Sequence, residues 1–183
     1  ILVIGDVMVD AYTWGNVSRI SPEAPVPVVS ITKKENRLGG AANVALNIQA
    51  LGATPILCSV IGNDANGKLF SDLLKKQKLS AKGILKDKKR STTVKTRVIA
   101  GNHQLLRVDE EIESDTANDT GKLLLQQIKS LANSEKVDVI VFEDYDKGCI
   151  IPSLIKEVVA FANQKNIPTV VDPKKKNFLE YKE

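Results

Sequence analysis

Three acids stand where three apolar runs stop. Asp6 follows residues 1–4, Asp144 follows residues 137–142, and Asp172 follows residues 168–171. Short continuous apolar runs suit strands buried on both faces, and in an open parallel sheet the carboxyl ends of the strands form the ligand crevice. A single such acid can simply cap the next turn, but three together point to a site. A second constellation is Gly39-Gly40-Ala41-Ala42-Asn43, which opens a helical pattern that Gly52 closes. Paired glycines let a backbone come close to a ligand, and a helix start offers free N–H groups to an oxygen-rich one. On spacing alone, a tight helix start with nothing bound has equal standing. Arg19, Arg97 and Arg107 lie on segments of strand period, where guanidinium groups could clamp a phosphate or simply face solvent.

Other candidates carry less chemistry. Residues 62–68, Gly-Asn-Asp-Ala-Asn-Gly-Lys, match the G-x-x-x-x-G-K spacing of a phosphate loop. Leu69 stands where a hydroxyl should hold the metal, so capping by Asn63, Asp64 or Asn66 is the better reading. Asn118-Asp119-Thr120-Gly121 reads as a helix cap. His103 is the single histidine and falls at a predicted hairpin tip, so no Ser-His or Cys-His pair can be assembled and no zinc site is expected.

Composition bounds the rest. A chain of 183 residues with 43% apolar content has a sizeable core, and 4% aromatic content makes that core aliphatic. The net charge of +4 comes from lysines scattered among acids, which argues for a solvated surface and against a nucleic-acid stripe. Cys58 and Cys149 sit in or beside apolar runs and are expected to be buried, reduced thiols of a cytoplasmic protein. No run is long enough for a membrane span, and no signal peptide is present. Residues 1–4 are already strand-like and Ile1 is not methionine, so the expectation is a segment of a longer protein.

The elements that must hold these groups alternate strand and helix. Strands are expected at residues 1–4, 56–61, 137–142 and 168–171, and helices after Gly40, after Gly67, over 116–132 and from Pro152. The expected core faces are Val44, Ile48 and Leu51; Leu69, Phe70, Leu73 and Leu74; Leu124, Ile128 and Leu131; and Ile155, Val158, Val159 and Ala162. Two excursions have period two instead. Residues 11–36 carry prolines that confine them to a sheet edge, and residues 91–110 form a hairpin turning at Gly101-Asn102-His103. The two excursions are expected to pair as a small second sheet.

These residues resemble the ribokinase-like (PfkB-type) sugar kinases. Gly5-Asp6-Val7-Met8-Val9-Asp10, the run from Ser18 to Val29 with its Ser-Arg-Ile-Ser-Pro-Glu-Ala-Pro, Gly39-Gly40 with Asn43, Asp144-Tyr145-Asp146-Lys147-Gly148 and Asp172-Pro173-Lys174 are similar to those of the heptose 7-phosphate kinases in that family. The resemblance implies an α/β fold: a ribokinase-like parallel-sheet core with helices on both faces, covered by a small β-sheet lid. It implies transfer of the ATP γ-phosphoryl to the anomeric hydroxyl of D-glycero-D-manno-heptose 7-phosphate, in ADP-heptose and lipopolysaccharide synthesis. It also implies Mg²⁺, with a monovalent cation as a further candidate, and a homodimer through the lid sheets. The substrate-binding set it implies is Asp6, Asp10, Arg19, Gly39, Gly40, Asn43, Arg97, Arg107, Asp144, Lys147, Asp172 and Lys174.

One part of the family pattern is absent. The G-A-G-D loop, which holds the transferring phosphoryl and supplies the catalytic base, has no match here, nor does the Asn-x-x-Glu metal motif. No catalytic residue is therefore expected in this segment, and its C-terminal part is expected to be missing. Two alternatives stand beside this reading: another ribokinase-like sugar or sugar-phosphate kinase, or a noncatalytic sugar-phosphate-binding or dimerisation module.

Overall fold

The computed structural model describes residues 1–181, which form two sheets and four helices. The first sheet is parallel and has five strands: β1 (Leu2–Gly5), β4 (Ile56–Gly62), β5 (Gly83–Asp87), β8 (Ile140–Glu143) and β9 (Thr169–Asp172), ordered β5-β4-β1-β8-β9. The second has four strands: β2 (Val7–Ile20), β3 (Pro27–Gly40), β6 (Val94–Ala100) and β7 (His103–Glu110), ordered β3-β2-β6-β7.

Alternation along β1 explains the layering. Leu2 and Ile4 point to one face, where α3 (Asn118–Ser134) and α4 (Pro152–Gln164) cover them with Leu124, Ile128, Ile155 and Val158. Val3 points to the other, where α1 (Ala41–Ala50) and α2 (Ala65–Lys76) supply Ala42, Ala45, Phe70 and Leu74. Each face buries a separate aliphatic cluster, so helices lie on both faces of the core. Cys58 and Cys149 are free and buried, and burial pushes both thiols up to about 12, which leaves them unreactive at neutral pH.

The two excursions pair as expected: β2 runs parallel to β6 from Val9 opposite Val94 to Gly15 opposite Ala100. Pro27 opens β3, which is an edge strand, where a missing N–H leaves no central ladder bond unmade. The sheet also reaches further into the core than the excursions alone, beginning at Val7 and ending at Gly40.

Two local expectations fail. The face of α1 at Val44, Ile48 and Leu51 is not the buried one. Ala41, Ala42 and Ala45 are fully buried, while Leu51 is 87% exposed. Ala41 N donates to Asp6 O at 2.9 Å, and this draws the helix so near the strands that only methyl groups fit. Residues 118–121 do not cap α3 either. Ala117 is the N-cap without a side-chain bond, and Thr120 Oγ1 instead donates to Asp87 Oδ2 at 2.8 Å, tying α3 to the end of β5.

Candidate functional site

Two glycine-rich helix starts lie near the carboxyl ends of the core strands, and only one is open. At α2, Asp64 accepts from Gly67 N at 2.6 Å and from Thr92 N and Thr92 Oγ1 at 2.8 Å, while Thr92 Oγ1 also accepts from Gly62 N. The spacing that resembled a phosphate loop is thus closed by its own carboxylate. At α1 the N-cap is Gly40, which has no side chain to offer, and no acid occupies the first turn. Ala41 N is taken by Asp6 O, but no side chain caps the rest of the first turn, and Asn43 projects from it as an exposed side chain.

The acids at the strand ends divide into two kinds. Asp6 is 3% exposed. Its Oδ2 accepts from Tyr145 N at 2.9 Å and Lys147 N at 3.1 Å, and its Oδ1 accepts from Cys149 N at 2.9 Å. Burial pushes its pKa up, and those three amides only partly offset that. Asp144 is 1% exposed; Asp146 N donates to its Oδ1, while Asn177 Nδ2 and Tyr181 OH donate to its Oδ2 at 2.8 and 3.0 Å. Neither carboxylate is free for a sugar hydroxyl, so the expectation that both contact substrate is corrected: they shape the loop of residues 144–150. Asp172 is exposed at the end of β9 and stays available.

Around that loop a polar cluster faces the crevice. Burial, with Asp172 adding to it, holds the Glu143 carboxyl above its ordinary pKa. The Tyr145 phenol is pushed up by burial first and then by Glu143, Asp172, Asp10 and Asp6, which places it among all four carboxylates. Lys174 Nζ lies 5.6 Å from the Tyr145 ring centroid. A raised Glu143 stabilises the fold fully below the unfolded glutamate pKa, and this contribution is lost as pH rises through the folded value. Glu143→Gln is therefore expected to raise the melting temperature at pH 7 but not at pH 4, as thermal unfolding at the two pH values would show.

On the second sheet, Asp10, Tyr12 and Trp14 alternate onto one face of β2. Arg97 Nη1 donates to Asp10 Oδ1 at 2.6 Å, and the Tyr12 and Trp14 rings stack at 5.4 Å. Asp10, Tyr12, Arg37, Asn43, Lys76 and Gln77 line one cleft of about 420 Å³. Asp10 Oδ2 lies directly over Gly39, where any Cβ would strike it.

Within this frame the whole chain can be compared with known proteins, and the model of the pfkB family of carbohydrate kinases matches residues 1–183. The chain belongs to that family. It is 42% identical to the bifunctional protein HldE of Geobacter sulfurreducens over 181 residues, which is 99% of this chain and 36% of that relative. The fold matches a putative phosphofructokinase from Staphylococcus aureus with a TM-score of 0.74 at 16% identity, over 98% of this chain and 55% of that one. An Arabidopsis thaliana ribokinase complexed with ribose and ATP matches with a TM-score of 0.61 at 14% identity, over 93% and 52% of the two chains. Both likenesses establish a ribokinase-like α/β fold. The chain spans little more than a third of the curated relative.

As a pfkB-family chain it brings some of the expected residues together and leaves others apart. Asp10 and Asn43 line one cleft, and Gly39 lies directly beneath the Asp10 carboxylate. Asp172 and Lys174 gather around Tyr145. Lys147 does not point at an open ligand site: its Nζ bridges Glu111 and Glu113, each at 2.8 Å, and Glu111 is shared with Lys95. Arg107 pairs with Asp109 at 2.9 Å on the exposed outer hairpin. Arg19 is exposed at the far end of β2, nine residues beyond Asp10 and so roughly 30 Å from it along the strand.

Sequence reasoning missed Glu143, Asn177 and Tyr181 as parts of this region, and it named Tyr145 only within the run from Asp144 to Gly148, with no role for its side chain. Glu143 had a signal, being a carboxylate that ends a buried strand. Asn177 is 1% exposed and donates to both Asp144 Oδ2 and Ile150 O, and nothing in its sequence neighbourhood announces that role. Among the described residues no three His, Cys, Asp or Glu side chains are grouped to hold a metal. Among the described residues no helix is long and apolar enough to cross a membrane.

Proposed function

We propose that the chain is the sugar-binding half and lid of an ATP-dependent kinase acting on the anomeric hydroxyl of D-glycero-D-manno-heptose 7-phosphate. The observation that carries this reading is the convergence of Asp10 and Asn43 on one cleft beside the uncapped Gly39-Gly40 helix start. A carboxylate accepts hydrogen bonds from sugar hydroxyls, and a carboxamide both donates and accepts. The narrower choice of a heptose 7-phosphate rests on the Ser-Arg-Ile-Ser-Pro-Glu-Ala-Pro run and on identity to a protein named HldE.

Phosphoryl transfer depends on positioning and on stabilising charge at the transferring group. In this reading Asp10 and Asn43 orient the sugar, and the second sheet excludes water above it. ATP is the phosphoryl donor by family membership and by the ATP bound to the related ribokinase. The protein works in ADP-heptose synthesis in the cytoplasm, as a homodimer through the second sheet. The face of that sheet opposite Asp10 favours such pairing: Ala11, Thr13, Thr96, Val98, Leu106 and Val108 share it by register, with Leu106 and Val108 exposed.

The test is a phosphorylation assay on the full-length protein with ATP and a panel of heptose 7-phosphate, fructose 6-phosphate and ribose. Turnover greatest on the heptose 7-phosphate is expected. A preference for another sugar makes this a different member of the family, and binding without turnover on any sugar makes it a binding module. The 183 residues by themselves, which contain no G-A-G-D sequence, are expected to give no turnover.

A further inference from the structure

We propose that Arg97 is a positioning residue: it holds the Asp10 carboxylate in the orientation that receives a sugar hydroxyl, and it does not clamp the sugar's phosphate. The inference rests on the reading of the cleft as a sugar site. Register explains the contact. Arg97 on β6 stands opposite Tyr12 on β2, so Asp10 is its diagonal neighbour on the same face. The guanidinium reaches back along that diagonal, with Nη1 at 2.6 Å from Asp10 Oδ1 and 3.4 Å from Lys95 O. Its central carbon is 5.2 Å from the Tyr12 ring centroid, over which Arg37 also stands at 4.9 Å.

These contacts divide the Asp10 carboxylate. Oδ1 is taken by Arg97, and Oδ2 lies over Gly39 beside the open start of α1. A hydroxyl in the cleft thus meets one fixed acceptor instead of a rotating pair. The same ion pair, three-quarters or more buried on both sides, matches the charge that a phosphate would need. Because β6 comes from the second excursion and Asp10 lies on β2 just ahead of the first, the sugar contact of Asp10 depends on the second excursion being docked.

Titration calorimetry on the full-length protein tests this with two probes, D-glycero-D-manno-heptose and its 7-phosphate. Arg97→Met is expected to weaken both by the same factor, about tenfold, the scale of one charge-assisted hydrogen bond. In an Asp10→Asn background, Arg97→Met is expected to cost almost nothing further, a coupling that a merely structural role would not produce. Should Arg97→Met lose its unfolding transition, Arg97→Lys serves the same comparison, with a smaller but again equal loss. A loss confined to the phosphorylated sugar makes Arg97 a phosphate clamp and overturns the proposal, as do unchanged affinities. Failure of the unsubstituted protein to bind either sugar instead sinks the sugar-site reading, and this inference with it.

Discussion

Replacing Asp6 by alanine is expected to remove about 4 kcal/mol of unfolding free energy, because three buried N–H groups lose their acceptor at once. The loss should be local before it is global. Hydrogen exchange at Tyr145, Lys147 and Cys149 is expected to speed up well ahead of exchange in β1 and β4, since the carboxylate anchors that loop and not the sheet. Asp6→Asn keeps one acceptor oxygen and should fall between alanine and the native residue. Denaturant unfolding of the three proteins measures this. Unaltered stability together with lost sugar affinity would return Asp6 to the list of substrate ligands.

The second large effect is expected at Gly40. Its φ of +58° lies in the left-handed region, and a Cβ built there would be driven into the Asp6 carbonyl oxygen and crowd Met8. Gly40→Ala should therefore cost about 3 kcal/mol, from backbone strain of 1–2 kcal/mol plus the displacement of Ala41 N from Asp6 O. Gly52 is the internal comparison. It too has positive φ, at +87°, but nothing lies within 4 Å of its added Cβ, so Gly52→Ala should show the backbone cost alone, about 1 kcal/mol. Equal costs at the two glycines, read by denaturant unfolding, would mean that the close approach of α1 to the strand plays no part.

Four of the five strands of the parallel core were readable because each is a short apolar run bounded by turn residues; β5 was not expected, since Gly83-Ile84-Leu85-Lys86-Asp87 offers only two apolar residues in a row at the sheet edge. The two excursions were readable from their period of two, and their pairing from the lack of any other partner. What sequence could not show was the direction in which a polar side chain turns. Asp6 and Asp144 stand one residue past β1 and β8 and are buried, whereas Asp172 is the last residue of β9, paired opposite Glu143, and is exposed. That offset of one residue reverses the face by strand alternation, and an apolar run without an exact end does not reveal it. The partners of Lys147 and Arg97 were hidden for a similar reason: the carboxylates of Glu111, Glu113 and Asp10 reach them from segments 34 to 87 residues away. The core face of α1 misled because hydrophobicity ranks Leu51 above Ala45, whereas a helix seated this close to a strand has room only for the smaller side chain.

One residue separates the two sheets on their shared path. β1 ends at Gly5 and β2 starts at Val7, so Asp6 alone connects these two strands along the chain. That same residue grips the backbone at 145, 147 and 149 through its side chain. Residue 6 is thus a three-way junction: its backbone joins the core sheet to the strand of Asp10, and its carboxylate ties both to the loop that carries Tyr145.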